Sequence, residues 1–292
     1  MAMDNIIQNR LLEDLYIRKI KLDDAQDRKC QNVLDKVLQA VVLDKAREKS
    51  AEFNELFREI YYGGSYYDHL KVNSTDFEFD LNIVFRIPKQ ISWCIANLGD
   101  DTRKPNFANL RSTRHSSSDA WNNLLGKDRQ GNLAVFPTKM FKLLQTAVDQ
   151  ALTDMNNVVV VNNEKIKVTR STGAPVILNV EGPGVKFTVD LVPSFHLEIN
   201  YLKTACSELN SRVVELLRDF SISEKKFMLI ALKNASGDSF EVDFHDIERG
   251  LLKTSGGCVY KVIKLIKYLR DITGGTMTKL WSHLLKVNIP NF

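Results

Sequence analysis

Two carboxylates separated by a single residue lie in a segment whose pattern predicts a β-strand. Polar and apolar residues alternate over residues 77–85, so Glu78, Asp80 and Asn82 should share one strand face. The opposite face should enter the core with Phe77, Phe79, Leu81, Ile83 and Phe85. Neighbouring carboxylates repel each other, and a divalent cation removes that repulsion and also binds nucleotide phosphates. The pattern indicates a metal site, although alone it is more typical of an exposed polar face on an edge strand.

Two further segments strengthen the metal hypothesis. Gly63-Gly64-Ser65 precedes the strand, and a glycine turn of this kind can present backbone N–H groups and a hydroxyl to a triphosphate. Asp190 is a lone acid in the strongly apolar strand predicted over residues 185–192, and such an acid needs a partner or a metal. For Asp190 alone, a salt-bridged acid in the core remains an alternative.

A helix predicted over residues 257–271 carries a second candidate set. Its buried stripe is expected to contain Val259, Val262, Ile263, Ile266 and Leu269. Lys261, Lys264 and Tyr268 fall within one sector of about 60°. Two ammonium groups and an aromatic ring suit the phosphates and base of a nucleotide, although a solvated lysine face with a tyrosine at its margin explains the same pattern.

These segments together resemble the nucleotidyltransferase superfamily, in which three carboxylates hold two metal ions. The stretch GSYYDHLK at 64–71, followed by EFD at 78–80, resembles the cyclic GMP-AMP synthase and Mab-21 family, in particular its insect-type receptors. Segments 190–193 and 243–248 resemble later parts of the family pattern. The similarity runs from about residue 30 to about residue 290.

The resemblance implies an α/β, bilobal nucleotidyltransferase fold. It implies a long N-terminal spine helix, a mixed twisted sheet and a C-terminal helical lobe that is shortened here. Residues 1–200 are expected to form the spine and catalytic core, and residues 201–292 the helical lobe. Family members usually continue through more helices, so the sequence leaves open a fragment or a short isoform.

The resemblance also implies roles for individual residues. Glu78, Asp80 and Asp190 would be the catalytic acids and would hold two Mg²⁺ or Mn²⁺ ions. Gly63, Gly64 and Ser65 would hold the donor phosphates, Lys264 would add charge, and Tyr268 would stack on a base. The expected reaction joins ATP and GTP into a cyclic dinucleotide of the cyclic GMP-AMP type.

Two departures from the vertebrate founding member bear on the activator and the product. That relative carries a zinc ribbon before the helix that corresponds to 257–271, and this chain has only the short stretch 253–258 there, so no zinc is expected and double-stranded RNA is favoured over DNA. Lys29 and Lys36 on the spine would contact the RNA through its phosphates, with a homodimer forming on the RNA. Glu241 stands where that relative carries a base-contacting arginine, which leaves base choice and linkage open.

The sequence leaves two rival functions open. One is an enzyme similar to oligoadenylate synthase, which would make linear products from ATP alone. The other is a catalytically silent Mab-21 scaffold that keeps the fold as a binding module. The complete set of three acids argues against the scaffold, and the missing C-terminal helices argue for it.

Composition places the chain among folded intracellular proteins. Hydrophobic residues make up 44% and charged residues 26%. Charged residues interrupt the N-terminus where a signal peptide needs an apolar run, and no apolar run approaches the roughly 18 residues of a membrane span. The four cysteines are scattered without a CxxC pair, which favours reduced thiols. The sequence therefore predicts a cytoplasmic protein without a membrane partner.

Positive charge is concentrated near the end of the chain. Residues 251–292 contain seven Lys or Arg and one Asp, which leaves −2 of the net +4 for the other residues. Such a segment indicates a polyanion partner or simply a solvated face.

Hydrophobic periodicity predicts the remaining elements. Helices are expected over 25–49, 51–60 and 138–155, a hairpin over 158–161 and 165–169, strands over 176–180 and 185–192, an irregular segment over 97–131, and mainly helix after Pro193 with a mixed stretch over 227–244.

Overall fold

The structure is a computed structural model that describes residues 13–20, 24–71, 77–89, 92–96, 107–172, 176–198, 226–231, 239–254 and 257–272. The helices in these ranges are α1 (Asp24–Leu38), α2 (Arg47–Lys49), α3 (Ala51–Leu56), α4 (Gly64–Tyr67), α5 (Asp119–Leu124), α6 (Pro137–Asp154), α7 (His245–Thr254) and α8 (Gly257–Ile272), with π-helical segments at Tyr16–Ile20 and Gln39–Ala46. Much of the predicted helical lobe, including 199–225 and the basic residues of 273–292, lies outside the described residues.

The strands in the same ranges form one 12-stranded sheet. They are β1 (Phe57–Tyr62), β2 (Phe77–Phe85), β3 (Trp93–Ala96), β4 (Phe107–Ser112), β5 (Leu125–Lys127), β6 (Leu133–Val135), β7 (Val158–Val161), β8 (Glu164–Arg170), β9 (Val176–Gly182), β10 (Val185–Glu198), β11 (Lys226–Ala231) and β12 (Ser239–Asp243). The main path runs β5-β6-β4-β12-β11-β10-β9-β8-β7, with β2 on β10, β1 on β2, and β3 on β4. This mixed sheet with packed helices confirms the predicted α/β class.

The predicted spine is present as a continuous helical run. It begins with α1, continues through the π-helical segment Gln39–Ala46 and ends with α2, and both junction residues, Leu38 and Ala46, have right-handed helical dihedrals. The apolar repeat predicted the extent of this run, but it does not distinguish a π-helix from an α-helix. The run ends at Ser50, whose hydroxyl caps α3 by accepting a hydrogen bond from the Phe53 N–H at 3.2 Å.

The predicted helix over 51–60 is wrong in its second half. Helix α3 ends at Leu56, and the chain continues as β1, which pairs antiparallel with β2. Ile60 faces Ile83 and Tyr62 faces Leu81 in this pairing. β-Branched and aromatic residues suit a strand, and the β2 ladder satisfies backbone groups that a helix end would leave open.

β10 organises the sheet because it pairs with three strands. It runs parallel to β2 from Phe187 to Ser194, and antiparallel to β9 through Leu191 and to β11 from Ser194 onward. Pro193 lies after the last residue that pairs with β9 and before the first that pairs with β11. Its missing N–H therefore interrupts neither of those two ladders. The strand therefore continues past the predicted end at Val192, and the prediction of helix after Pro193 is wrong for the end of β10. β11 and β12 lie in the stretch over 227–244 that was predicted to be mixed.

The segment 97–131 was expected to be irregular, and where it is described this is wrong. It contains β4, α5 and β5, each of six residues or fewer. Elements this short give little periodic signal, and β4 is fixed by its pairing with β3, β6 and β12. The helix predicted at 138–155, the hairpin over β7 and β8, and β2 itself are confirmed.

The main core lies between the sheet and the helices that cover it. α1 and α6 both contact β10, and α6 also packs along the π-helical part of the spine. Phe79 and Phe187 are fully or almost fully buried and meet edge to face at 5.2 Å. Since strand residues alternate between faces, the acids beside them point away from this core. In the described part of the chain, no helix combines the length and apolarity that crossing a bilayer requires.

Candidate metal centre and nucleotide site

Parallel pairing of β2 with β10 brings the three predicted acids together. Asp80 stands opposite Asp190, and Glu78 stands opposite Thr188. Each acid offers a carboxylate oxygen, and the three oxygens lie within 4.8 Å of one another. Asp80 and Asp190 are partly buried and Glu78 is exposed, so the cluster opens to solvent on the Glu78 side.

The mutual repulsion of the three carboxylates favours binding of a cation. Burial, reinforced by the negative charges of Glu78 and Asp80, raises the pKa of Asp190 to about 6. Burial, together with Glu78, also raises the pKa of Asp80, which the positive charges of Lys71 and Lys267 partly counteract. A bound divalent cation would reverse this repulsion and keep all three groups ionised.

The donor set fits Mg²⁺ or Mn²⁺. Asp190 Oδ1 is buried and meets no hydrogen-bond donor among the described residues, so one ligand atom is left open to a cation. All three groups are carboxylates, which suit hard, oxygen-preferring ions and not the Cys and His sets typical of structural zinc.

The glycine turn lies directly against Asp80, one of the three clustered acids. Gly64 has φ +73°, and a Cβ atom there would stand 2.3 Å from Asp80 Oδ2. The Gly63 N–H donates to the Asp80 carbonyl at 3.3 Å. Glycine is therefore favoured at position 64 for two independent reasons, its backbone conformation and its close approach to Asp80. The same contacts place Ser65, the next residue of α4, at this edge of the site.

Segment 243–248 borders the turn from the other side. A Cβ atom on Gly63 would lie 3.2 Å from His245 Cδ2 and 3.3 Å from Asn82 Nδ2, so both side chains pack closely against Gly63. His245 Nδ1 is 2.7 Å from Asp243 Oδ1. Glu241 lies on β12, opposite Ile230 of β11. The sequence indicated segment 243–248 only through its resemblance to the family pattern, because the spacing of its polar residues predicts no site by itself.

The predicted lysine face of α8 meets the N-terminal segment. Lys261 Nζ is 3.0 Å from Glu13 Oε2, and it lies 5.4 Å from the centre of the Tyr16 ring. Lys264 Nζ lies 5.8 Å from the same ring. Lys264 also lines a pocket of about 340 Å³ with Asp27, Gln31, Tyr66, Tyr67, His69 and Lys71. Tyr268 is half-buried on the same helix.

Periodicity misassigned part of this helix and missed one lysine. Val262, predicted to be buried, is 44% exposed, whereas Ile263 is fully buried. Lys267 is only 6% exposed, and its charge acts on Asp80. The signal was available, because Lys267 follows Ile263 by four residues and so lies on the buried side of the helix. The side chain of Leu269 lies outside the described residues.

The two lysines assigned to RNA both lie exposed on α1. Lys29 Nζ donates to the Pro183 carbonyl at 2.9 Å, which ties the spine to the β9–β10 turn. Lys36 lies further along the same helix.

Comparison with known proteins agrees with this geometry. The model of the Mab-21 protein nucleotidyltransferase domain matches residues 66–254. A cyclic GMP-AMP synthase-like receptor of Aethina tumida is 23% identical over 288 residues, covering 92% of this chain and 66% of the relative. A receptor of the same name from Tribolium castaneum is 38% identical over 78 residues, which cover 27% of this chain and 19% of that protein. This chain thus spans just under two thirds of the Aethina relative, and it belongs to the Mab-21 family of nucleotidyltransferases.

Proposed function

We propose that this nucleotidyltransferase is a cytoplasmic sensor that, on binding double-stranded RNA, joins ATP and GTP into a cyclic dinucleotide of the cyclic GMP-AMP type. The single observation that supports catalysis best is the meeting of Glu78, Asp80 and Asp190 on two parallel strands beside the glycine turn. Both relatives are named cyclic GMP-AMP synthase-like receptors, which supports the cyclic product.

The acids supply the reaction chemistry through a metal centre. Glu78, Asp80 and Asp190 would hold two Mg²⁺ or Mn²⁺ ions, which when bound activate the attacking ribose hydroxyl and neutralise the triphosphate. Asp190 Oδ1, buried without a donor among the described residues, is the ligand atom with the strongest need for a cation. Asp80 lies directly against Gly64, where an added Cβ atom would stand 2.3 Å from its Oδ2.

The surrounding residues bind and orient the nucleotides. The backbone of Gly63 and Gly64 and the hydroxyl of Ser65 hold the donor phosphates. Lys267 joins the predicted Lys264 as a source of positive charge, because it is buried and acts on Asp80. Tyr268 stacks on a base, as the family resemblance implies.

The proposed activator is bound by phosphate contacts from the exposed lysines of α1, Lys29 and Lys36. Contacts of this kind read the shape and charge of a duplex and not its sequence, and they weaken steeply as salt rises. A homodimer assembled on the RNA is part of the proposal.

The proposal is tested by identifying the product. The protein is incubated with ATP, GTP, Mn²⁺ or Mg²⁺, and long double-stranded RNA, single-stranded RNA or double-stranded DNA, and products are identified by mass spectrometry. A cyclic dinucleotide that needs double-stranded RNA supports the proposal. Linear oligomers from ATP alone would favour an enzyme similar to oligoadenylate synthase, and no product under any condition would favour the silent scaffold.

A further inference from the structure

Helix α7 is joined to strands β1 and β10 by a partly buried carboxylate. Asp246, in its first turn, accepts a hydrogen bond from the Tyr61 hydroxyl at 2.7 Å through Oδ1. Its Oδ2 lies 2.9 Å from His196 Nε2 on β10. Burial alone would raise the pKa of Asp246, but the hydrogen bonds from His196 and Tyr61 lower it below the ordinary value. Asp246 is therefore an ionised group that fixes α7 to β1 and β10.

Arg249, one turn later on α7, forms hydrogen bonds on both sides of the glycine turn. Its Nη2 donates to the Tyr62 carbonyl at 2.9 Å, immediately before Gly63. Its Nε donates at 3.1 Å to Asp68 Oδ1, immediately after α4. Asp68 is only 2% exposed, so water screens the charge of its carboxylate little and the ion pair is strengthened.

A stack of rings reinforces the same link. The Arg249 guanidinium carbon lies 5.6 Å from the centre of the Tyr61 ring. The Tyr61 ring also stacks on the His245 ring, nearly parallel at 10° with centres 6.2 Å apart. His245 in turn packs against Gly63. These contacts therefore lie on the His245 side of the Gly63–Gly64 turn, and Gly64 faces Asp80 on the other side.

We propose that Asp246 and Arg249 are positioning residues that clamp the Gly63–Gly64 turn at its working distance from Asp80. The role rests on the proposed function, since the turn holds the donor phosphates and Asp80 the metal. Neither residue needs to touch the substrate, so loss of the clamp should misplace bound phosphates more than it weakens their binding.

Two readouts of Arg249→Gln test the clamp. Hydrogen–deuterium exchange should rise at least about tenfold across residues 61–70, because the turn opens locally more often. At saturating RNA, kcat should fall about 10- to 100-fold while the KM for ATP changes by less than about threefold, as expected for a lost alignment. Lys253→Gln is the matched control on the same helix, exposed, and should change neither readout.

Two further variants separate positioning from a general structural role. Arg249→Lys keeps the charge but cannot reach the Asp68 carboxylate and the Tyr62 carbonyl together, so it should restore only part of kcat. Asp68→Asn combined with Arg249→Gln should lower kcat by clearly less than the product of the two single effects, because both changes break one link.

The exchange measurement keeps the clamp and the proposed function distinguishable. Unchanged exchange across residues 61–70 in Arg249→Gln would overturn the clamp, whatever the activity. Raised exchange with a KM effect as large as the kcat effect would also overturn the positioning role. A wild-type protein that makes no product would refute the proposed function, and exchange would still decide whether α7 holds the turn.

Discussion

The metal acids on the sheet and the lysine face of α8 were both predicted from spacing, yet they differ in how the structure places them. The sheet puts Glu78, Asp80 and Asp190 within 4.8 Å of one another, on the predicted face. On α8, Lys261 contacts Glu13, whereas the buried Lys267 acts on Asp80. The strand face therefore lies as the alternation predicted. On the helix, the residues that face the site differ from the predicted ones.

The difference follows from the geometry of the two elements. A strand offers two faces, so once one face is apolar the other is determined. A helix offers a continuous surface, and a rotation of one residue exchanges exposed and buried positions, as Val262 and Lys267 show. The helix sequence alone does not state which neighbours cover it. Here, Tyr16 lies beside both Lys261 and Lys264.

The largest expected effect is loss of the acids. Glu78→Ala with Asp80→Ala should reduce product formation by at least about a thousandfold, because the metal centre loses two of its three ligands. The free energy of unfolding without metal should hold or increase, since like charges are removed. Steady-state kinetics beside a thermal melt measure both. Residual activity near wild type would remove these residues from the metal role.

A second large effect is expected at the turn. Gly64→Ala introduces a Cβ atom 2.3 Å from Asp80 Oδ2 and strains a φ of +73°, so activity should fall about 100-fold. Gly131→Ala is the matched control, because Gly131 has a similar φ of +83° but open space around its would-be Cβ. Both variants should lose stability in a melt from the backbone strain, Gly64→Ala more because of the added contact, and only Gly64→Ala should lose activity. Equal activity in the two variants would show that contact with Asp80 is not needed.

A smaller effect separates the lysines of α8. Lys267→Ala should lower kcat/KM by about 10- to 100-fold, the contribution of a charged hydrogen bond of about 1.5 to 3 kcal/mol. Lys261→Ala should change it by less than about twofold at saturating RNA, because Lys261 is exposed and paired with Glu13. The reverse order would show that the face predicted from the sequence, and not the buried lysine, serves the nucleotide.

The smallest effect concerns stability and pH in the metal-free protein. A carboxyl group whose pKa rises to about 6 on folding binds its proton more tightly in the folded state, so stability falls as pH rises from about 4 to about 6. Asp190→Asn should therefore be more stable than wild type by about 1 to 2 kcal/mol at pH 7.5 with chelator, and nearly equal near pH 4. Urea unfolding at both pH values measures this. A pH-independent difference would contradict the raised pKa.

The sequence predicted the long, strongly periodic elements and the acids they carry. It predicted β2 and α6 nearly to the residue, because their apolar faces are long enough to define a period. It failed where tertiary pairing overrides local pattern. The end of α3 becomes β1 because β2 is available, and β10 continues through Pro193 because its edge changes partner there.

The clamp on α7 could not be predicted from spacing. Asp246 and Arg249 look like an ordinary polar helix face in sequence, and their partners lie more than 180 residues away in Tyr61 and Asp68. Only the fold shows that these side chains point inward and meet the glycine turn.

The most direct test of the metal centre is a crystal structure of the protein with Mn²⁺ and a non-hydrolysable ATP analogue, with anomalous scattering recorded at the manganese edge. Two Mn²⁺ peaks bound by carboxylate oxygens of Glu78, Asp80 and Asp190, with the triphosphate against Gly64 and Ser65, are the expected result. Nucleotide bound elsewhere, or no manganese peak among the three carboxylates at saturating Mn²⁺, would contradict the account.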